Sequence, residues 1–206
     1  MKLVEHKGHW TPKGSEKAWN RYWKRTTDMD LAIGLCLHRR TVVQAGGNIG
    51  AWPVYLAKKK FTSVLTFEPE AVNHACLVKN IAPFPQIHAF HAALGATAGT
   101  VKLKVCESIG SHHLVMEKGD TVMTTIDQLG LDDLDLIVAD VEGAELLLIQ
   151  GALGTIARCK PIIQLEDRGH GMKKGFGYEF SAILDTLPDY FPTARVGRDV
   201  ILRPKS

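Results

Sequence analysis

The sequence predicts an α/β protein with a doubly wound, mostly parallel sheet, and three stretches carry that prediction. Residues 41–50, TVVQAGGNIG, run from β-branched Thr41, Val42 and Val43 into a turn holding Gly46, Gly47 and Gly50. Residues 63–70, SVLTFEPE, read as a second strand that ends in Glu68. Residues 134–139, LDLIVA, are a near-continuous apolar run that stops at Asp140 and passes into VEGAELLLIQGAL. Strands that alternate with helices in this way build a parallel sheet covered on both faces.

Glycines let the chain turn sharply and let a ligand come close to the backbone. Residues 51–59 follow as a helix, with Pro53 tolerated in its first turn. A helix N-terminus there offers free N–H groups and the positive end of a dipole. The glycines do not fit G-x-G-x-x-G, and no G-x-x-x-x-G-K-[ST] occurs, so neither a dinucleotide fingerprint nor a P-loop is present. By itself the turn fits a ligand cradle and a plain tight turn equally.

After the strand at 63–67, Pro69 opens a helix that reaches about Asn80, and Pro83 and Pro85 close it. Glu68 sits at the strand's carboxyl end, about twenty residues after the turn, where a carboxylate can accept hydrogen bonds from both hydroxyls of a ribose. The bland alternative is an acid at a helix N-terminus. Residues 86–90 make a short third strand, followed by HAALG. VKLKVCE alternates and adds a strand, and SIGSHHLVMEKGD reads as a polar loop or hairpin near the site. Asp140 and Glu142 stand at the carboxyl end of the fourth strand, where such sheets place ligands, although Asp140 alone could be a helix cap. Residues 161–165 form a fifth strand ending in Glu166 and Asp167, and RGHGMKKGFG then reads as a mobile loop. A helix over 179–187 leads to an antiparallel hairpin, 191–196 and 199–203, with its turn at Gly197 and Arg198.

The first forty residues differ in kind. HKGHWTPKGSEKAWNRYWKR is basic and aromatic, with Trp10, Trp19, Tyr22 and Trp23. Ser15 can cap a helix to about Arg25, and Asp28 or Asp30 a second through Leu37, so residues 1–40 read as a helical cap segment and 41–206 as the main domain. Such a segment either packs on the sheet edge or brings Trp, Arg and Lys side chains to a substrate cleft or a polyanion.

Composition narrows the classes. A chain of 206 residues suits one domain with a sizeable core. A net charge of +3 is too mild for wholesale nucleic-acid binding. Cys36, Cys76, Cys106 and Cys159 form no C-x-x-C pair, so they read as reduced thiols of a cytoplasmic protein. No segment resembles a signal peptide or a membrane span, and no membrane partner is expected. The oligomeric state is not readable.

With these residues in place, the chain resembles the FkbM family of S-adenosylmethionine-dependent methyltransferases. VVQAGGNIG is similar to the family's D-x-G-A-N-x-G motif, TFEPE to its F-E-P block, and DLDLIVADVEGAELLLIQGA to its I-D-V-E-G-A-E block. The match covers roughly residues 41–167, the third block being the most specific, and it does not explain the first forty. The resemblance implies a Rossmann-like class I methyltransferase fold: seven strands, mostly parallel, a terminal antiparallel hairpin, helices on both faces. It implies S-adenosylmethionine as methyl donor and a sugar or natural-product hydroxyl as acceptor. Carried over, Gly46, Gly47, Asn48 and Gly50 surround the methionine part, Glu68 the ribose, and residues 90–93, with Ala92 and Ala93, the adenine. Asp140 and Glu142 face the methionine end and the acceptor. The family's acid in the first motif is Gln44 here, which keeps an acceptor but lacks the charge that holds the α-ammonium group; on this reading Gln44→Asp would tighten cofactor binding.

A second reading is methylation of nucleic acid through the basic amino-terminal segment, against which stands the absence of an N-P-P-Y-type motif. A third is a non-catalytic protein that kept the fold, suggested by Gln44 and opposed by Glu68, Asp140 and Glu142. For transfer to a hydroxyl, something must take its proton or lower its pKa. His112, His113 or His170 could be the base, with Glu142 nearby. A divalent metal on Asp140 with Glu166 or Asp167 is the alternative; the metal-free arrangement is the favoured one.

Overall fold

The structure, a computed structural model, describes residues 2–205. Its amino-terminal segment is mixed rather than helical. Strands β1 (Leu3–His6) and β2 (His9–Pro12) pair as an antiparallel hairpin, followed by helices α1 (Ala18–Trp23) and α2 (Asp30–Leu35), with a 3-10 turn at Thr26–Met29 between them. Lys7 and Gly8 turn the hairpin with positive φ, and the basic spacing of the stretch had hidden its alternation. Ser15 does not cap α1 with its side chain; its carbonyl accepts from the N–H of Ala18 at 2.8 Å.

The main body follows as β3 (Thr41–Ala45), α3 (Ala51–Lys58), β4 (Ser63–Phe67), α4 (Ala71–Ile81), β5 (Ile87–Phe90), β6 (Ala93–Leu94), β7 (Gly99–Lys104), β8 (His113–Val115), β9 (Thr121–Thr124), β10 (Leu134–Ala139), α5 (Glu145–Gln150), α6 (Leu153–Cys159), β11 (Ile162–Glu166), α7 (His170–Lys173), α8 (Ser181–Thr186), β12 (Tyr190–Val196) and β13 (Asp199–Pro204). Helix α4 opens two residues after Pro69, because the Glu70 side chain accepts the Asn73 N–H at 2.7 Å and caps it. The stretch expected to be a mobile loop holds the single turn α7.

Seven strands form one mixed sheet in the order β12-β13-β11-β10-β3-β4-β5. The pairs β10–β3, β3–β4, β4–β5 and β10–β11 are parallel, while β13 lies antiparallel to both β11 and β12. A second sheet, β6-β9-β7-β8, was not legible beyond its hairpin. Side chains alternate across the strands. Val42, Val64, Leu136 and Val138 face one core with α3 and α4, and Val43, Phe67, Ile137 and Ala139 face the other with α5, α6 and α8. Both faces of β3 and β10 are thus dry, which is why these strands read as continuous apolar runs. No helix among the described residues is long and apolar enough to cross a membrane.

The amino-terminal segment shares the first core. Ala18, Trp19, Met29, Ala32 and Ile33 pack in the same cluster as Val42, Leu56 and Leu136. Trp19 stacks on His9 at 3.7 Å and on Trp23 at 5.9 Å between ring centroids, so two of the three tryptophans that seemed free for ligands are occupied by packing. Met29 is fully buried. Met29→Ala is therefore expected to lower the unfolding free energy of the whole chain by about 2–5 kcal/mol, with one cooperative urea transition. A variant that unfolds in two steps, the first confined to tryptophan fluorescence, would show that the segment is a separate unit.

Candidate functional site

Parallel pairing brings the carboxyl ends of β3, β4 and β10 side by side. The N–H groups of Gly46 and Gly47 donate to the Phe67 carbonyl at 3.0 and 2.9 Å, and that of Asp140 to the Ala45 carbonyl at 3.2 Å. These bonds extend the ladder into the turns and fix the floor of an open cleft lined by the ends of β3, β4 and β10. At Gly46, φ is +82°, and a Cβ would run into the Asp140 carbonyl. At Gly47 it would stand 2.7 Å from Thr66 Oγ1. Glycine is needed at both because the chain crosses between two strand ends with no room for a side chain.

Glu68 is buried at the lip of this floor. Its Oε2 accepts the Asn48 N–H at 2.7 Å and its Oε1 the Glu70 N–H at 2.9 Å. Burial nevertheless pushes its carboxyl up, to about 7. Asn48 holds a left-handed φ of +47° and donates its amide to the Ile109 carbonyl at 2.6 Å; Asn73 donates to the same carbonyl at 2.9 Å. Two amides thereby tie the loop between β7 and β8 over the cleft, with Ile109, Gly110, His112 and His113 on its wall. The N–H of Cys106 donates to His112 Nδ1 at 3.0 Å, and His113 is buried with Nδ1 3.5 Å from Lys174 Nζ.

The opposite wall is acidic. Asp140, Val141 and Glu142 leave β10 and reach α5 only at Glu145, so Asp140 is not a helix cap. Glu142 has φ +56°, an unusual backbone for a bulky residue that points to a constrained site. Glu145 anchors the turn: its Oε1 accepts the N–H groups of Val141 and Gly143 at 3.2 and 3.3 Å, and Tyr178 Oη lies 3.1 Å from its Oε2. Burial pushes Glu145 to about 7 as well. Glu166, at the end of the neighbouring strand β11, is buried with neither carboxylate oxygen hydrogen-bonded. Burial first and Asp140 second raise its pKa. His170 stands with Nδ1 3.2 Å from Glu142 Oε2 and 3.6 Å from Glu166 Oε2. Burial, with Arg168 and Lys174 nearby, pushes the imidazole down to about 4.

Of the residues expected at the site, Gly46, Gly47, Asn48, Glu68, Ala93, His112, His113, Asp140 and Glu142 line the cleft. Gln44, Gly50, Ala92 and His170 do not. Gln44 is fully buried, donating to the carbonyls of Ala45 and Gly46 at 3.1 and 3.0 Å and accepting from the Thr66 hydroxyl. Its amide bonds carbonyls of its own strand end, so an aspartate there would bury a charge among carbonyls. Gly50 shapes the start of α3 with φ +100°, and Ala92 packs in the second core. Asp167 turns outward to an ion pair with Arg195, away from Asp140.

Two lining residues come from the amino-terminal segment, Tyr22 and Arg25. Arg25 brings its guanidinium within 3.6–3.9 Å of Asp140, Glu166 and Asp199 and lies 5.8 Å from the Trp52 ring centroid. The basic, aromatic stretch was the only signal for them.

Residues 44–192 match the family described as the methyltransferase FkbM domain. The chain belongs to this family. No curated protein sequence matches it. Among solved structures it is similar to the FkbM methyltransferase of Methylobacillus flagellatus KT, at 18% identity and a TM-score of 0.56 over 92% of this chain and 58% of that one. The chain thus spans less than two thirds of that relative. It is also similar to a ribosomal protein L11 methylase of Lactobacillus delbrueckii subsp. bulgaricus, at 15% identity and 0.54 over 89% and 79%. A TehB-like SAM-dependent methyltransferase of Corynebacterium glutamicum matches at 16% and 0.52, over 95% and 100%. At these identities the likeness is one of fold, that of the SAM-dependent methyltransferases.

Two outcomes are expected. Glu145 has a folded pKa above its ordinary value of 4.5, so it contributes most to stability at low pH and less as pH rises toward about 7. Glu145→Gln keeps an acceptor oxygen and removes the titration; relative to the wild type it should gain stability between about pH 5 and pH 8, read by urea unfolding at each pH. A constant difference would place the Glu145 carboxyl at an ordinary pKa. For the FkbM domain's first motif, Gln44→Asp should destabilise by about 1–3 kcal/mol and fail to tighten S-adenosylhomocysteine in calorimetry. Tighter binding would return Gln44 to the cofactor.

Proposed function

We propose that this chain is an S-adenosylmethionine-dependent methyltransferase acting on a hydroxyl of a saccharide or natural-product-like small molecule. The observation that carries the reading is Glu68: a buried carboxylate with its own backbone donors, at the end of β4, facing the cleft floored by Gly46 and Gly47. That arrangement fits a ribose, because a carboxylate with Oε1 and Oε2 each holding one N–H retains lone pairs for two hydroxyl donors. When bound, S-adenosylmethionine supplies an activated methyl group for transfer to an acceptor oxygen.

The residues of this chain divide the remaining work. Gly46, Gly47 and Asn48 shape the floor under the methionine part, and Ala93 with Leu94 offers an apolar edge for the adenine. Asp140, at the end of β10, supplies the charge for the α-ammonium group that Gln44 does not. The loop tied down by Asn48 and Asn73 forms one wall of the cleft. The carboxylate of Glu142 takes the proton that leaves the acceptor hydroxyl; burial, with Asp140 beside it, raises its pKa and makes it the stronger base. Alignment of acceptor and donor is the larger part of the rate enhancement in such a reaction.

A nucleic-acid acceptor is the second reading, favoured by the exposed lysines around the Trp-bearing segment, where Lys58 and Lys79 sit 4.8 and 4.2 Å from the ring centroids of Trp23 and Trp10. The small-molecule reading is preferred because those cations cover aromatic rings that are already packed. Methyl transfer from labelled donor to sugars, small hydroxylated compounds and RNA separates the readings; label in RNA alone would overturn the preferred one. Hydroxyl donors favour the ionised form of Glu68, so S-adenosylhomocysteine should bind more weakly as pH falls below about 7. Glu68→Gln should weaken it about tenfold or more and flatten that pH dependence. Equal affinity in the variant, by calorimetry, would remove Glu68 from the site.

A further inference from the structure

We propose that Glu142, Glu166 and His170 form a binding site for one divalent first-row transition ion, with Mn2+ or Zn2+ as the fitting occupants. Glu142, Glu166 and His170 each offer a ligand atom within 4.8 Å of the others, and His170 Nδ1 stands 3.2 Å from Glu142 Oε2 and 3.6 Å from Glu166 Oε2. Ligands about 2.0–2.2 Å from a shared ion stand roughly 3.3 Å apart, so the first of these edges has that length and the second is slightly longer.

The groups are held there by the fold. Strands β10 and β11 are parallel neighbours, so their carboxyl ends carry Glu142 and Glu166 to one place. Helix α7 packs against the turn so closely that a Cβ on Gly143 would stand 2.9 Å from the His170 carbonyl. The polar atoms are also unused. Glu166 is 4% exposed, and neither of its carboxylate oxygens has a hydrogen-bond partner. His170 Nδ1 is buried and equally unpartnered, its contact with Glu142 lacking hydrogen-bond alignment. Leaving a buried carboxylate without donors is costly, and an ion on the Oε2 side removes that cost.

Other charges face the group. Arg25 and Arg168 approach Glu166 Oε1 at 3.9 and 3.8 Å, and Lys174 approaches Glu142 Oε2 at 3.8 Å. All stand beyond hydrogen-bond length, and the two arginines occupy the oxygen opposite the one assigned to the ion. One imidazole with two carboxylates selects a transition ion over Mg2+ or Ca2+, which prefer all-oxygen sets. Glu142 lines the cleft while Glu166 and His170 line a smaller pocket beside it, so the ion would sit between the two. Its role rests on the methyl-transfer reading: it would hold the acceptor oxygen and lower the pKa of that hydroxyl, the proton passing to solvent through the open cleft. Glu142 and His170 are then ligands rather than bases, which replaces the metal-free base role of Glu142 and reverses the metal-free preference drawn from the sequence.

The test is Mn2+ titration of metal-stripped full-length protein, followed by electron paramagnetic resonance of the free ion, with Zn2+ calorimetry beside it. One ion per chain is expected. Glu166→Gln and His170→Ala should each weaken uptake at least tenfold, while calorimetry shows S-adenosylhomocysteine binding within about twofold of the wild type. Circular-dichroism melting checks folding, and either variant suffices if the other fails to fold. No stoichiometric uptake by the wild type, or undiminished uptake by a folded variant, overturns the ion site. Ion uptake without S-adenosylhomocysteine binding would instead overturn the methyl-transfer reading and leave the ion site standing.

Discussion

A carboxylate in a protein interior costs several kcal/mol unless donors or cations offset it, and this chain buries Glu68, Glu145 and Glu166 at the carboxyl edge of one sheet. Each is offset differently. Two backbone N–H groups hold Glu68, two more and a tyrosine hold Glu145, and Glu166 has two arginines and His170 beyond hydrogen-bond length. That graded satisfaction sorts the acids by task. The well-donored ones fix the two turns that shape the cleft, and the poorly donored one retains the capacity to take a ligand.

The remainder of the fold keeps this edge in place. Strands β3 and β10 are dry on both faces, so the sheet cannot slip without exposing an apolar layer. Glycines at 46 and 47 let the strand ends approach within contact, and the fully buried Gln44 bonds to two carbonyls of its own strand end and to Thr66 of β4. The amino-terminal segment completes the arrangement from outside the family match. It contributes Trp19 and Met29 to the core, and then Arg25 as the cation for Asp140, Glu166 and Asp199.

Much of this was legible in the sequence because it depends on local pattern. The strand–turn–helix units around Gly46, Glu68 and Asp140 have periodicity and punctuation that fix their type. The order of these units placed their carboxyl ends together, and with them the floor and both walls of the cleft. Three things were not legible, for physical reasons. The direction in which a side chain leaves a strand end depends on its neighbours, so Gln44 read as a cofactor contact although it faces Thr66. The hairpin of residues 3–12 was masked by its charged and aromatic composition. Asp167 and Glu166 are adjacent in sequence, and only the pleat decides which turns inward: Glu166 is buried against β10 while Asp167 pairs with Arg195 at the surface.

The cleft above Gly46 and Gly47 is proposed as the cofactor site of a methyltransferase. A crystal structure of the full chain with S-adenosylhomocysteine tests this assignment. Both ribose hydroxyls are expected on Glu68, the adenine against Ala93 and Leu94, and the sulfur turned toward Asp140 and Glu142. A ligand seated elsewhere, or one in the cleft with Glu68 touching no hydroxyl, would contradict it.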